Sequence, residues 1–178
     1  MAREKFWFAT GAVAGIAAVG GVLAARRFAQ DSGQHVLRLE KSINIGRPVD
    51  VVFGAWASLD RLPQWIDFIK RIELAGKRSR WQVSVDGKEF QWDARITQFV
   101  PSESIGWKSI SGPKHTGRVT FSSLGEQTVV HVVMNYAPSS GALGVALPAG
   151  THLEDWIERG LREFKAALES GKHLMTSA

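Results

Sequence analysis

Five histidines, His35, His115, His131, His152 and His173, are the side chains best suited to proton transfer or metal ligation near neutral pH. None stands at an H-x-H or H-E-x-x-H spacing, so the sequence points to no metal centre. There is no cysteine, which removes thiol nucleophiles, Cys-ligated zinc, iron–sulfur clusters and disulfides. G-x-S-x-G, P-loop and G-x-G-x-x-G patterns are absent as well. His131 sits in a strand-like run facing opposite to Val130 and Val132 and reads as a sheet histidine satisfied on its own face. Residues 139–150 are rich in glycine but carry no phosphate-binding lysine. They lead into a helix whose start holds Glu154 and Asp155, charges that repel phosphate. That stretch reads as an apolar lid or a membrane-contacting loop through Leu143, Val145 and Leu147, or as plain loop. No catalytic residue, metal or cofactor is expected from these patterns.

Aromatic surface is what the chain has in quantity. Trp7 aside, six tryptophans fall in the main body: Trp56, Trp65, Trp81, Trp92, Trp107 and Trp156. Indoles stack on flat ligands and line apolar pockets; they also fill cores. With Phe68, Phe90, Phe121, Tyr136, Phe164 and Gly160 they form the candidate ligand-binding set. Gly160 lies on the apolar stripe of the last helix, where a missing side chain allows either close packing or room for a ligand. Glu89, Asp93 and Arg95 alternate with Phe90, Trp92 and Ala94 and so face away from Trp92. Few ionisable groups remain for a cavity on that side, and Gln91, Ser109, Asn135 and Tyr136 are the available hydrogen-bonding groups. An enzyme built here needs an ionisable side chain pointing inward.

These residues must be positioned by strands and one long helix. Leu37, Leu39, Lys41, Ile43 and Ile45 alternate on one strand face, and Gly46-Arg47-Pro48 ends it. Val49, Val52, Phe53 and Trp56 recur at helical spacing. Residues 59–69 look like a second short helix, with Pro63 near its start. The period then changes to two. Trp81-Val83-Val85 and Phe90-Trp92-Ala94-Ile96 flank Asp86-Gly87, a hairpin signal. Further strands run through Ile105 and Trp107, through Val119 and Phe121, and from Gln127 to Tyr136, with a turn at Leu124-Gly125. Thr151 and Glu154 make a capping box for a helix striped by Leu153, Trp156, Ile157, Leu161, Phe164 and Leu168 and stopped near Gly171. The expected fold is α+β: a strand, two short helices, about six antiparallel strands, then a long helix covering one sheet face and leaving a hollow.

Residues 6–25 carry no charge and, as a helix, would reach about 30 Å, the thickness of a bilayer core. Phe6, Trp7 and Phe8 at one end and Arg26 and Arg27 at the other suit a transmembrane anchor better than a signal peptide. Gly11 and Gly15 form a G-x-x-x-G pair through which two such helices would meet in a homo-oligomer. The excess of Arg and Lys on the C-terminal flank places the rest of the chain in the cytoplasm. The resulting division is a flank at 1–5, the membrane helix at 6–25, a linker at 26–34, a domain at 35–171 and a tail at 172–178. Net charge is +5, but no basic run exceeds Arg26-Arg27, so nucleic acid is not an expected partner.

Several motifs in order resemble the START-like, or SRPBCC, superfamily. Ser42 to Pro48 with Val52-Phe53 and Trp56, then Leu62-Pro63-Gln64-Trp65, look like its opening. Trp81, Trp92-Asp93-Ala94, Ile105-x-Trp107-x-Ser109, Gly117-x-Val119-x-Phe121, Tyr136-x-Pro138-x-x-Gly141 and Phe164-Lys165 continue the likeness to about residue 171. The branch it resembles most is the polyketide cyclase/dehydrase and coenzyme-Q-binding group. The resemblance implies a helix-grip fold with an apolar cavity that takes lipids, quinones, sterols or polyketides, in carriers and enzymes alike. The expected function is a membrane-tethered binding or carrier domain for a hydrophobic small molecule. The alternatives are a cyclase/aromatase-like enzyme and a partner-binding stress module.

Overall fold

In the computed structural model the structure describes residues 36–137 and 152–171. The elements run β1 (Leu37–Ile45), α1 (Val49–Ala57), a 3-10 helix (Leu59–Gln64), β2 (Ile69–Ala75), β3 (Arg78–Val85), β4 (Lys88–Val100), β5 (Ser104–Ser109), β6 (Lys114–Leu124), β7 (Gln127–Ala137) and α2 (His152–Glu169). The seven strands form one antiparallel sheet in the order β1-β7-β6-β5-β4-β3-β2. Short turns drive this meander. Between β3 and β4 the register closes at Val85 opposite Lys88, and the two residues between them, Asp86 (φ 50°) and Gly87 (φ 72°), adopt the left-handed conformation that a tight hairpin requires. β1 returns to pair with β7, Leu37 opposite Tyr136 and Ile45 opposite Thr128.

Irregularities in β2, between Ile69 and Arg71, and in β4, between Ile96 and Gln98, interrupt the ladder, and such bulges bend a strand. α2 packs on the sheet with Leu153, Trp156, Leu161, Phe164 and Leu168 buried against Ile45, Val52, Phe90, Val119, Val130 and Tyr136. Polar contacts fix its direction. Lys41 of β1 pairs with Glu154 (3.4 Å) and Glu158 (3.3 Å). At the other end the Gly46 N–H donates to Glu169 Oε1 (2.7 Å), and Arg47 Nε donates to the Leu168 carbonyl (3.0 Å). α1 closes one end of the layer through Trp56, which meets Phe164 edge-on at 5.1 Å.

Two expectations are corrected. Residues 59–69 are not one helix: the 3-10 helix ends at Gln64, and β2 begins at Ile69. In β2 the buried residues are Ile69 and Ile72, set three apart rather than two by the bulge between Ile69 and Arg71. The transmembrane helix is also withdrawn from the architecture. Among the described residues no helix is long and apolar enough to cross a membrane, and residues 6–25, where it was placed, lie outside them. The longest described helix, α2, is amphipathic; Glu154, Asp155, Glu158, Arg159, Arg162 and Glu163 line its other faces. The membrane partner, single-pass topology, cytoplasmic placement and Gly11–Gly15 contact all rested on that helix and go with it. The Thr151 cap and the stretch 139–150 likewise lie outside the described residues.

Candidate functional site: an indole-lined cavity

Between the sheet and α2 lies a cavity of about 190 Å³. Of the candidate set it brings together Trp56, Phe68, Trp81, Trp92, Trp107 and Trp156; around them stand Val83, Ala94, Ile96, Ile105, Met134 and Leu153. The placement follows from strand parity. Trp81 and Trp92 are cross-strand partners, and their rings stack with centroids 5.7 Å apart and planes 8° apart. Trp81 Nε1 donates to Ser79 Oγ (2.9 Å), so its one polar atom is satisfied within the wall.

Six candidates do not line the cavity. Trp65 and Phe164 pack on each other at 5.8 Å, Phe121 lies under Trp56 at 6.2 Å, and Phe90 sits beside Trp156 at 6.5 Å. Tyr136 is fully buried in the core. These rings form the layer behind the lining. Gly160 opens no space of its own. A Cβ there would lie 3.1 Å from Phe68 Cζ, so the gap left by its missing side chain is filled by Phe68, which faces the cavity. Of the polar candidates, Gln91 is exposed, and Ser109 and Asn135 are buried outside the lining.

The strand charges turn outward. Asp93 accepts from Arg80 Nε at 2.9 Å, and the guanidinium, with help from Ser111, holds its carboxyl below the usual range. His131 Nε2 meets Glu40 Oε1 at 2.8 Å, and Glu40, also bonded to Arg38 (3.0 Å), is likewise held low, first by Arg38 and then by His131. On α2 burial pushes the Glu163 carboxyl up, while its Oε2 accepts the Asp67 N–H at 3.0 Å. No group of His, Asp and Glu among the described residues is arranged to hold a metal.

Among the described residues one ionisable side chain lines the cavity, and it was not singled out from the sequence. His115 is 4% exposed. Its backbone N–H donates to Ser109 Oγ (2.9 Å), and its Nδ1 accepts from Trp107 Nε1 (3.3 Å). The Trp92 ring stands at 88° to it, 5.5 Å away. Burial lowers its pKa from 6.5 to about 4, so the ring is neutral at pH 7. The signal was parity: His115 shares a strand face with Gly117, Val119 and Phe121. Gly117 is the register partner of Trp107, and any Cβ there would overlap the indole ring, so this glycine lets Trp107 lie across β6 and reach His115.

A family model described as polyketide cyclase / dehydrase and lipid transport matches residues 45–165, which spans α1, strands β2 to β7 and most of α2. The chain belongs to this family. A relative within reach by sequence is an uncharacterized 17.2 kDa protein of Streptomyces lincolnensis, 32% identical over 106 residues, 58% of this chain and 71% of the relative. Solved structures share the fold, and two stand as examples. One is the Zhui aromatase/cyclase of Streptomyces sp. R1128, with TM-score 0.63, 17% identity, and 81% of this chain and 99% of that one covered. The other is a START superfamily protein of Mycobacterium smegmatis, with TM-score 0.61, 16% identity, and 78% and 99% covered. The START-like resemblance read from the motifs therefore stands. The membrane-tethered carrier does not, because its tether finds no support; what the family and the fold leave in place is the cavity.

Proposed function

We propose that this polyketide cyclase/dehydrase-family domain binds a hydrophobic, ring-bearing small molecule of polyketide type between sheet and α2. The cavity carries this reading: five indoles, Trp56, Trp81, Trp92, Trp107 and Trp156, line a space of about 190 Å³, with one imidazole among the described lining residues. That space is comparable to the ~150 Å³ apolar cavity that takes up benzene and smaller than the roughly 300–1,000 Å³ of drug-sized sites. A compact ring system fits it; a diacyl lipid does not. Stacked indoles favour flat molecules. The fold it shares with the Zhui aromatase/cyclase supports the polyketide class.

A second, enzymatic reading has one observation in its favour. Cyclase-like chemistry needs a polar group at the reacting atoms, and among the described lining residues His115 supplies the one ionisable side chain, Ser79 being taken up by Trp81. A partner-binding module with a closed core is disfavoured by the cavity itself. The test is titration of the full chain with naphthalene- and anthracene-based ring compounds and with palmitate, read by tryptophan quenching and by native mass spectrometry. Saturable one-to-one binding of the ring compounds is expected, with palmitate much weaker. Absence of saturable binding by any ring compound refutes the proposal.

A further inference from the structure

Resting on that reading, we propose that His115 contacts the ligand as a hydrogen-bond donor through Nε2–H, and that the ligand presents a neutral, ring-borne carbonyl oxygen to it. An indole N–H can only donate, so the 3.3 Å contact from Trp107 Nε1 makes His115 Nδ1 an acceptor. In a neutral imidazole the single proton then sits on Nε2. Among the described residues Nε2 has no hydrogen-bond partner, while the side chain lines the cavity. The perpendicular Trp92 ring offers it at most a π contact, weaker than an oxygen acceptor.

The same geometry closes the other role open to a cavity histidine. To act as a base, His115 would have to take a proton at Nδ1, the atom that faces the Trp107 N–H. Two N–H groups would then point at each other in a buried site. Trp107 cannot easily yield, because it is seated on Gly117, and the imidazole is anchored through its own backbone to Ser109. The ligand's charge follows from the rest of the wall. No Lys or Arg is among the described lining residues, so an anion would be buried without a counter-charge, which is costly. A neutral ketone on a ring system meets every condition: a flat apolar body for the indoles and one acceptor for Nε2–H.

The test uses two probes of one skeleton on the full chain, α-tetralone and tetralin, which differ by the carbonyl oxygen. Wild type should bind tetralone about three- to tenfold more tightly, the range of one net hydrogen bond. His115→Phe should abolish that preference while still binding tetralin. The infrared carbonyl stretch of bound tetralone should lie lower in wild type than in the variant, which a merely structural role would not produce. Equal preference and an unshifted stretch in the two proteins would overturn the assignment. Binding of neither probe by wild type would instead remove the cavity-binding reading, and this inference with it. Should His115→Phe fail to fold, long-range 1H–15N correlation on wild type reads the tautomer directly: a proton on Nε2 supports the proposal, and one on Nδ1 refutes it.

Discussion

Acidification should destabilise this domain through His115 between about pH 6.5 and about 4, a window in which the raised Glu163 carboxyl acts with opposite sign. The imidazole titrates near 6.5 when unfolded and near 4 when folded, with burial as the cause. Between these values the unfolded chain binds a proton that the native state refuses. Stability therefore rises with pH across the window, fully present above about 6.5 and progressively lost as pH falls toward 4. At about 1.4 kcal/mol per unit the whole window is worth roughly 3 kcal/mol, most of it spent by about pH 4.5. Glu40 and Asp93, held low by Arg38 and Arg80, withdraw their stabilisation at lower pH, and Glu163, pushed up by burial, acts with opposite sign. All three are shared by a variant changed only at His115. Urea unfolding followed by far-UV circular dichroism, at about pH 7 and about pH 4.5, should show wild type losing roughly 2–3 kcal/mol more than His115→Phe. At about pH 7 the variant should be lower by about 1–2 kcal/mol, since Trp107 Nε1 loses its acceptor, and by about pH 4.5 it should have drawn level with wild type or passed it. An equal loss on acidification in both proteins would show that the buried neutral imidazole is not what makes the domain acid-sensitive.

Gly117→Ala places a methyl group within the Trp107 ring, so the indole must leave its seat; urea midpoints should report a loss of roughly 1–3 kcal/mol. In Gly160→Ala, the helix-propensity gain of up to about 1 kcal/mol opposes displacement of Phe68, whose Cζ lies 3.1 Å from the new Cβ. Thermal melting should change little, while uptake of ring probes falls because Phe68 moves into the cavity. Arg95 lies between Arg78 and Lys108 as a cross-strand neighbour of both, with no ion pair among the described residues. Arg95→Glu should stabilise by roughly 0.5 kcal/mol in low salt, an effect that vanishes in about 1 M salt if it is electrostatic.

Alternation was enough to read most of this sheet. Trp81, Val83, Trp92, Ala94, Val119 and Phe121 stand on the faces their parity assigns, because side chains on a strand can only alternate. Asp86-Gly87 marked its hairpin, since that turn needs left-handed backbone at both positions. β2 escaped because a bulge broke its period, and the apolar run at residues 6–25 matched a bilayer in length without anything in the described structure to support a span.

Composition and period determined that an aromatic-rich sheet would pack on one amphipathic helix and turn its charges outward. They could not separate the rings that line the cavity from those behind it. Trp56 and Trp65, or Phe68 and Phe164, are alike in sequence, and only three-dimensional packing put one of each pair at the void. Nor could they reveal His115 as its polar contact. That role depends on an indole from the neighbouring strand crossing a glycine to reach Nδ1, a relation set by the register between β5 and β6 and by no pattern within either strand alone.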